Sequence, residues 1–223
     1  MKTINSVVFF IFFGIFFYSC VPSLVYSPSL NLPSKPLSKD EVQILGGIGY
    51  LPETRPNYTE PKMVLGGEAS LRFGISDRVT AQLKGWKDVS YSISEARYGF
   101  SISALTMLND SSDIRFGIFP TGAFLLAEND IEGGGGTIPF CFWYSKFYPI
   151  SFYAAFGPII GIRNITEDNN QWGWGLLLNI GATVNIKKHF TFNLEISAIK
   201  QVSEYDGYKS YFLSPSLNVG YIF

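Results

Sequence analysis

The sequence predicts an all-β fold, a closed up-and-down antiparallel transmembrane barrel of about ten strands, and three observations predict it. From Glu41 onward apolar and polar residues alternate with a period of two, the mark of strands with one apolar face. The alternating runs often reach ten residues or more, above the usual globular strand and matching the ~9–11 that cross a bilayer at a tilt. Short turns and longer polar links succeed one another along the chain, the connection pattern of barrels embedded in a membrane.

Composition agrees. The 223 residues suffice for one closed barrel. Aromatics make up 17 % of the chain and charged residues only 16 %, well below the usual quarter for a soluble domain. A net charge of −1 leaves no basic footprint, so no nucleic-acid partner is expected.

Residues 1–19 read as an export signal. Lys2 supplies the positive start, and Val7 to Tyr18 form an almost unbroken apolar run. That run is shorter than the roughly 18 residues of a spanning helix, and it ends at Ser19-Cys20 with a proline two residues on. An uncleaved membrane helix is the alternative. Residues 20–40 are rich in proline and serine, which denies them regular structure and predicts a periplasmic tether. The barrel is then assigned to residues 41–223.

The strand segments, in order, are 41–51, 62–75, 78–87, 95–107, 113–127, 137–146, 150–163, 171–186, 190–200 and 209–223. Eight strands remain the alternative if two weak segments are discounted. In the second segment Leu65, Ala69, Leu71, Phe73 and Ile75 share one face while Glu68, Ser70 and Arg72 share the other. Ile114, Phe116, Ile118, Phe124 and Leu126 are similarly set against Arg115, Gly117, Thr121 and Ala123. Trp172, Trp174, Leu176, Leu178 and Ile180 are set against Gly175, Asn179 and Gly181, and Phe190, Phe192, Leu194 and Ile196 against Thr191, Asn193, Glu195 and Ser197. The polar faces carry many glycines and few charges, which suits a narrow lumen better than a solvated surface. An even strand number puts both chain ends on the short-turn side, the periplasmic one in a Gram-negative outer membrane.

Leu217-Asn218-Val219-Gly220-Tyr221-Ile222-Phe223 alternates and ends the chain on an aromatic residue. It resembles the terminal strand read by the barrel-assembly machinery, with Tyr221 and Phe223 as the assembly signal. Phe73-Gly74-Ile75-Ser76-Asp77-Arg78-Val79 resembles the periplasmic hairpin of small barrels of the OmpA-like, opacity-type superfamily. Together these resemblances cover residues 41–223 and imply an outer-membrane barrel with outer-membrane lipid around it. Ser19-Cys20 resembles a bacterial lipoprotein cleavage site, although Phe17 and Tyr18 stand where that family usually has Leu and a small residue. The resemblance implies lipid attachment at Cys20; ordinary cleavage with an idle thiol is the alternative. Cys141 is the only other cysteine, so no disulfide framework is expected, and a small packing residue is the natural reading of it.

No catalytic site is expected. Barrel enzymes acting on lipid A, phospholipids or peptides resemble one another in employing a histidine, and the sole histidine here, His189, sits in the short turn Lys187-Lys188-His189. No cofactor and no metal site is expected: Asp110, Asp113, Glu128, Asp130, Glu132, Glu167 and Asp168 read as solvated loop or turn acids. Gly133 to Gly136 lacks the Lys-Ser/Thr of a phosphate loop and reads as a flexible external loop. The informative residues are the charges placed in the lumen by alternation, namely Glu41, Glu68, Arg72, Lys84, Arg97, Arg115 and Glu195. A hairpin symmetric about Ser76 puts Glu68 opposite Lys84 and Ser70 opposite Gln82. Charges in a narrow lumen need partners or water, so two functions stay open. One is a structural or surface-interaction barrel whose lumen is plugged by charged side chains; the other is a narrow passive pore for small solutes. The external ligand is not specified by the sequence.

Overall fold

A computed structural model of the chain describes residues 29–33, 35–52, 63–88, 97–109, 113–127, 130–166, 169–186, 189–202 and 211–223. The expected signal at 1–19 and lipid site at Cys20 lie outside the described residues.

The described residues form twelve strands: β1 (Val42–Pro52), β2 (Met63–Ser76), β3 (Val79–Asp88), β4 (Arg97–Met107), β5 (Ile114–Ile118), β6 (Thr121–Ala127), β7 (Asp130–Thr137), β8 (Phe140–Tyr144), β9 (Ile150–Thr166), β10 (Asn169–Ile186), β11 (Phe190–Gln201) and β12 (Tyr211–Ile222). They make ten staves, because β5 with β6 and β7 with β8 are halves of single staves. The breaks fall at Phe119-Pro120 and Ile138-Pro139, where proline has no N–H for the ladder. The two breaks sit side by side: Phe119 N donates to Pro139 O at 3.0 Å, and Ala104 N to Pro120 O at 3.1 Å. All pairs are antiparallel, and β12 returns to β1, with Leu45 opposite Gly220 and Gly49 opposite Ser216, to close the barrel. Closure leaves no sheet edge to hydrogen-bond in lipid.

The alternation predicts the faces. Ile44, Ile48, Leu83, Ile102, Phe156, Leu178, Leu194 and Leu217 all point out and are exposed, so the outer wall is apolar where a membrane would meet it. Trp172, Trp174, Tyr50 and Tyr98 ring one end, and Phe147, Tyr148, Phe190, Tyr221 and Phe223 ring the other. Two aromatic girdles flanking an apolar band are what the two membrane interfaces require.

Two expectations are corrected. The four-glycine run is not an external loop: it forms half of β7 and pairs with β6 on one side and β9 on the other, Gly135 facing Ala123 and Gly161. A Cβ on Gly135 would stand 2.6 Å from Ile160 O, so close approach of the neighbouring stave accounts for glycine there. Asp130 and Glu132 therefore belong to a strand, and pairing leaves only residues 128–129 and 167–168 between the strands at those two ends. The second correction concerns register. The turn centred between Asp77 and Arg78 and a one-residue irregularity between Gly74 and Ser76 together shift the β2–β3 pairing by two, so Glu68 lies opposite Trp86, Ser70 opposite Lys84 and Arg72 opposite Gln82. The turn is the pair Asp77-Arg78, not one centred on Ser76.

Candidate functional site: the barrel lumen

The lumen has two unlike walls. On β4 to β11 an apolar cluster contains Leu105, Met107, Phe119, Cys141, Trp143, Tyr153, Ile159, Leu177 and Ile199. Cys141 is fully buried in it as a packing residue, its Sγ 3.7 Å from Pro139 O. On β11, β12, β1, β2 and β3 most inward residues are polar, among them Asn193, Glu195, Asn218, Gln43, Arg72, Gln82 and Lys84, all buried, with Leu45 and Trp86 as apolar exceptions.

Between the walls lies the chain itself. Residues 29–33, within the stretch whose composition predicts a tether outside the barrel, are inside it, with Leu32 wholly buried and Ser29 and Asn31 each 1 % exposed. Leu30 and Leu32 join the apolar cluster. The main chain faces the polar wall. Leu30 N and Asn31 N donate to the two Glu195 carboxyl oxygens at 2.5 and 2.8 Å. Lys84 Nζ donates to Ser29 O at 2.6 Å, Gln82 Nε2 to Leu30 O at 3.3 Å, and Asn193 Nδ2 to Leu32 O at 3.1 Å. Trp143 Nε1 donates to Pro33 O at 2.8 Å. A proline- and serine-rich stretch can leave water because the wall supplies the partners its main chain would otherwise lack.

The segment has a direction. Pro33 meets Trp143, one residue from the short-turn end of β8, and Leu32 meets Asn193, three residues into β11. Ser29 meets Glu68 and Lys84 near mid-strand. From Ser29 to Pro33 the chain therefore descends towards the short-turn rim. There Leu37 N donates to Thr80 Oγ1 at 2.9 Å and Asp40 N to Gly74 O at 3.0 Å. A Cβ on Gly74 would stand 1.8 Å from Ser38 O, so glycine is what lets the strap cross β2 before β1 begins.

Of the seven predicted lumen charges, four converge. Lys84 Nζ lies 3.4 Å from Glu68 Oε2 with both side chains buried. The contact is diagonal, one pair along from the directly opposed position the symmetric hairpin predicts. Ser29 binds both members: its hydroxyl donates to Glu68 Oε1 and accepts from Lys84 Nζ at 3.0 Å. Arg72 belongs to a chain of contacts across the closing seam. Its Nε donates to Gln82 Oε1 and its Nη1 to Gln43 Oε1, each at 2.7 Å, while Gln43 Nε2 donates to Thr191 Oγ1 at 2.9 Å. Glu195 also accepts from Tyr153 Oη at 2.8 Å and Ser197 Oγ at 3.3 Å, four donors in all. Gly181 makes room for Tyr153: a Cβ there would lie 2.3 Å from the ring carbon Cζ.

The other three differ. Glu41 precedes β1 at the rim, where its Oε2 accepts from Ser38 N at 2.7 Å. Arg115 lies opposite Trp143 next to the short-turn rim and is half-buried. Arg97 begins β4, and its side chain lies outside the described residues. Gln43, Trp143 and Tyr153 are not singled out by the sequence, and Gln82 and Asn193, though placed on inward faces, are not among the candidate residues. Their signal was an inward position in the alternation, but charge alone was used to pick candidates.

His189 lies at the short-turn rim, exposed, stacked 5.6 Å from the Tyr221 ring and 3.0 Å from Ile222 O. Tyr221 also packs edge-on against Phe190 and Phe223, each at 4.9 Å. Among the described residues no three potential metal ligands gather. Asp113 is exposed beside its turn, and Asp110, Glu128, Glu167 and Asp168 lie outside the described residues.

No protein-family model and no curated protein matches the chain. Among solved structures it is similar to the N-terminal β-barrel domain of Pseudomonas aeruginosa OprF, at 12 % identity over 84 % of this chain and 100 % of that one, TM-score 0.41. It is similar to Ail, the attachment invasion locus protein of Yersinia pestis, at 12 % identity over 83 % and 99 %, TM-score 0.38. It is also similar to the outer membrane protease OmpT of Escherichia coli, at 8 % identity over 85 % and 97 %, TM-score 0.44. At such identities the likeness concerns the fold alone. By its own geometry, ten antiparallel staves closed on themselves with an apolar outer band between two aromatic girdles, the chain folds as an outer-membrane-type β-barrel.

Proposed function

We propose that this chain is a bacterial outer-membrane barrel whose lumen is closed to solutes and whose role is structural or surface-interacting, with a lipid on Cys20 as a second anchor. The short-turn rim, with Phe223, faces the periplasm in this reading, and Tyr221 and Phe223 are what the assembly machinery engages. The observation that carries the closed lumen is residues 29–33 bonded between the two walls. A cavity of about 30 Å³ beside Leu30, Gln82 and Phe119 has room for a water or two and none for a hydrated solute. The role is non-enzymatic in this reading, since His189 is a rim residue packed on Tyr221.

One observation favours the narrow pore instead. Ser70 Oγ, Arg72 Nη2, Ser216 Oγ and both amide atoms of Asn218 are buried without a protein partner, and they share the wall formed by β12, β1 and β2. Such a polar strip can carry water. Planar-bilayer conductance of the full-length protein decides: no discrete channel steps are expected, and reproducible steps would establish the pore and end the closed reading. The anchor is checked separately by mass spectrometry of the native mature N-terminus. It is expected to begin at an acylated Cys20, and an unmodified start would remove the lipid from the proposal.

A further inference from the structure

We propose that the lumen is a peptide-binding site that recognises a short, uncharged, kinked segment mainly through its main chain, and that residues 29–33 are its resident ligand. This deepens the closed-lumen reading by naming what the site takes. Two main-chain N–H groups and four carbonyls of this segment are bonded by side chains from β3, β8 and β11. Side-chain recognition is slighter: the Ser29 hydroxyl meets Glu68 and Lys84, and Asn193 Nδ2 donates to Asn31 Oδ1 at 2.7 Å.

The geometry defines the ligand class. Successive N–H groups of a strand point to opposite sides, so a straight peptide could not give two neighbouring N–H groups to one carboxyl. The chain is therefore not extended at Leu30, and the next residue, Asn31, continues the kink with φ of 56°, in the left-handed region found in the anion-binding concavities of a kinked main chain. Asn tolerates that region better than most residues. The site thus asks for Asn or Gly at the third position, with apolar residues on either side to meet the cluster of Leu105, Phe119 and Leu177. A charged side chain at either flank would be buried against that cluster without a partner.

The test uses the full chain with a specific protease site inserted between Lys35 and Pro36, outside the lumen contacts, folded in detergent and cut only afterwards. The cut N-terminal piece is expected to stay with the barrel through size exclusion. Its release is expected to be at least about tenfold faster from a Glu195→Gln barrel, the size of one lost bond to a charged group. A dye-labelled peptide of residues 27–35 is then titrated into barrel from which the piece has been chased. It is expected to bind about 100-fold or more tighter than the same peptide N-methylated at Leu30 and Asn31, which cannot donate to Glu195. A piece that departs at once on cutting, equal release from both barrels, or equal binding of the two peptides would each overturn the proposal. These failures are distinguishable from failure of the closed lumen. Channel steps from the uncut chain sink the closed reading whatever the peptides do, and a silent uncut chain with no peptide selectivity sinks only this site.

Discussion

Replacing Glu195 with alanine is expected to lower the free energy of unfolding by about 3–5 kcal/mol. This side chain ties the segment to the barrel wall. Four donors meet its carboxyl: Leu30 N, Asn31 N, Tyr153 Oη and Ser197 Oγ. Alanine leaves all four without that acceptor in a position with no solvent exposure, and each orphaned donor costs about 1–3 kcal/mol unless water replaces the carboxyl. Water entering the space offsets part of the sum, so the expected loss is set below four full penalties. Tyr153→Phe gives the internal check. In the native chain it removes a partner of Glu195 and is expected to destabilise; in the alanine background it removes an orphan and is expected to cost less, or to stabilise. Urea unfolding in detergent, followed by tryptophan fluorescence, measures both, since Trp143 lies in the same lumen. A loss below about 1 kcal/mol with additive tyrosine effects would mean that the Glu195 cluster does not hold the segment in place.

The staves and their faces were legible in the sequence because a barrel wall obeys one rule, apolar out and polar in, repeated at every second residue. Glu68, Arg72, Lys84 and Glu195 could be placed in the lumen on that rule alone. The rule does not extend to residues 29–33. Their composition matches that of a solvated linker, and what draws them inward is a set of partners scattered from Glu68 to Glu195, which local sequence does not connect. Leu30 and Leu32 were the available hint, two large apolar residues in a polar stretch. The glycine run misled for a related reason: Gly135 serves a close approach of Ile160, and a contact across staves leaves no mark on local periodicity. The β2–β3 register differs by two because the turn sits at Asp77-Arg78 rather than on Ser76 and a one-residue irregularity follows Gly74, neither of which alternation reveals. That difference changes how Glu68 and Lys84 meet, and so what their coupling should be.

A double-mutant cycle on Glu68→Gln and Lys84→Met is expected to return a coupling of about 2 kcal/mol or more, above the ~0–1 kcal/mol of exposed pairs. The 3.4 Å contact is long for a charge-assisted bond, and taken alone it would predict less. Ser29 supplies the rest. Its hydroxyl lies between the two, donating to Glu68 and accepting from Lys84, while its carbonyl accepts from Lys84 as well. Each single variant therefore leaves the opposite charge buried with half of a shared network, which costs more than removing both. The third member makes the source of coupling testable. With Ser29→Ala in the background the relay through the hydroxyl is gone, and the measured coupling is expected to fall by about half or more; if the direct ion pair carried it, the coupling would stay. Unfolding in detergent reads all eight combinations. Strict additivity between Glu68 and Lys84 in the native background would mean that lumen water screens them, because two charges this close in a dry interior cannot ignore each other. A screened pair next to the unpartnered atoms of Ser70 and Asn218 would describe a wetted lumen, and the narrow pore would then be the better account of the barrel.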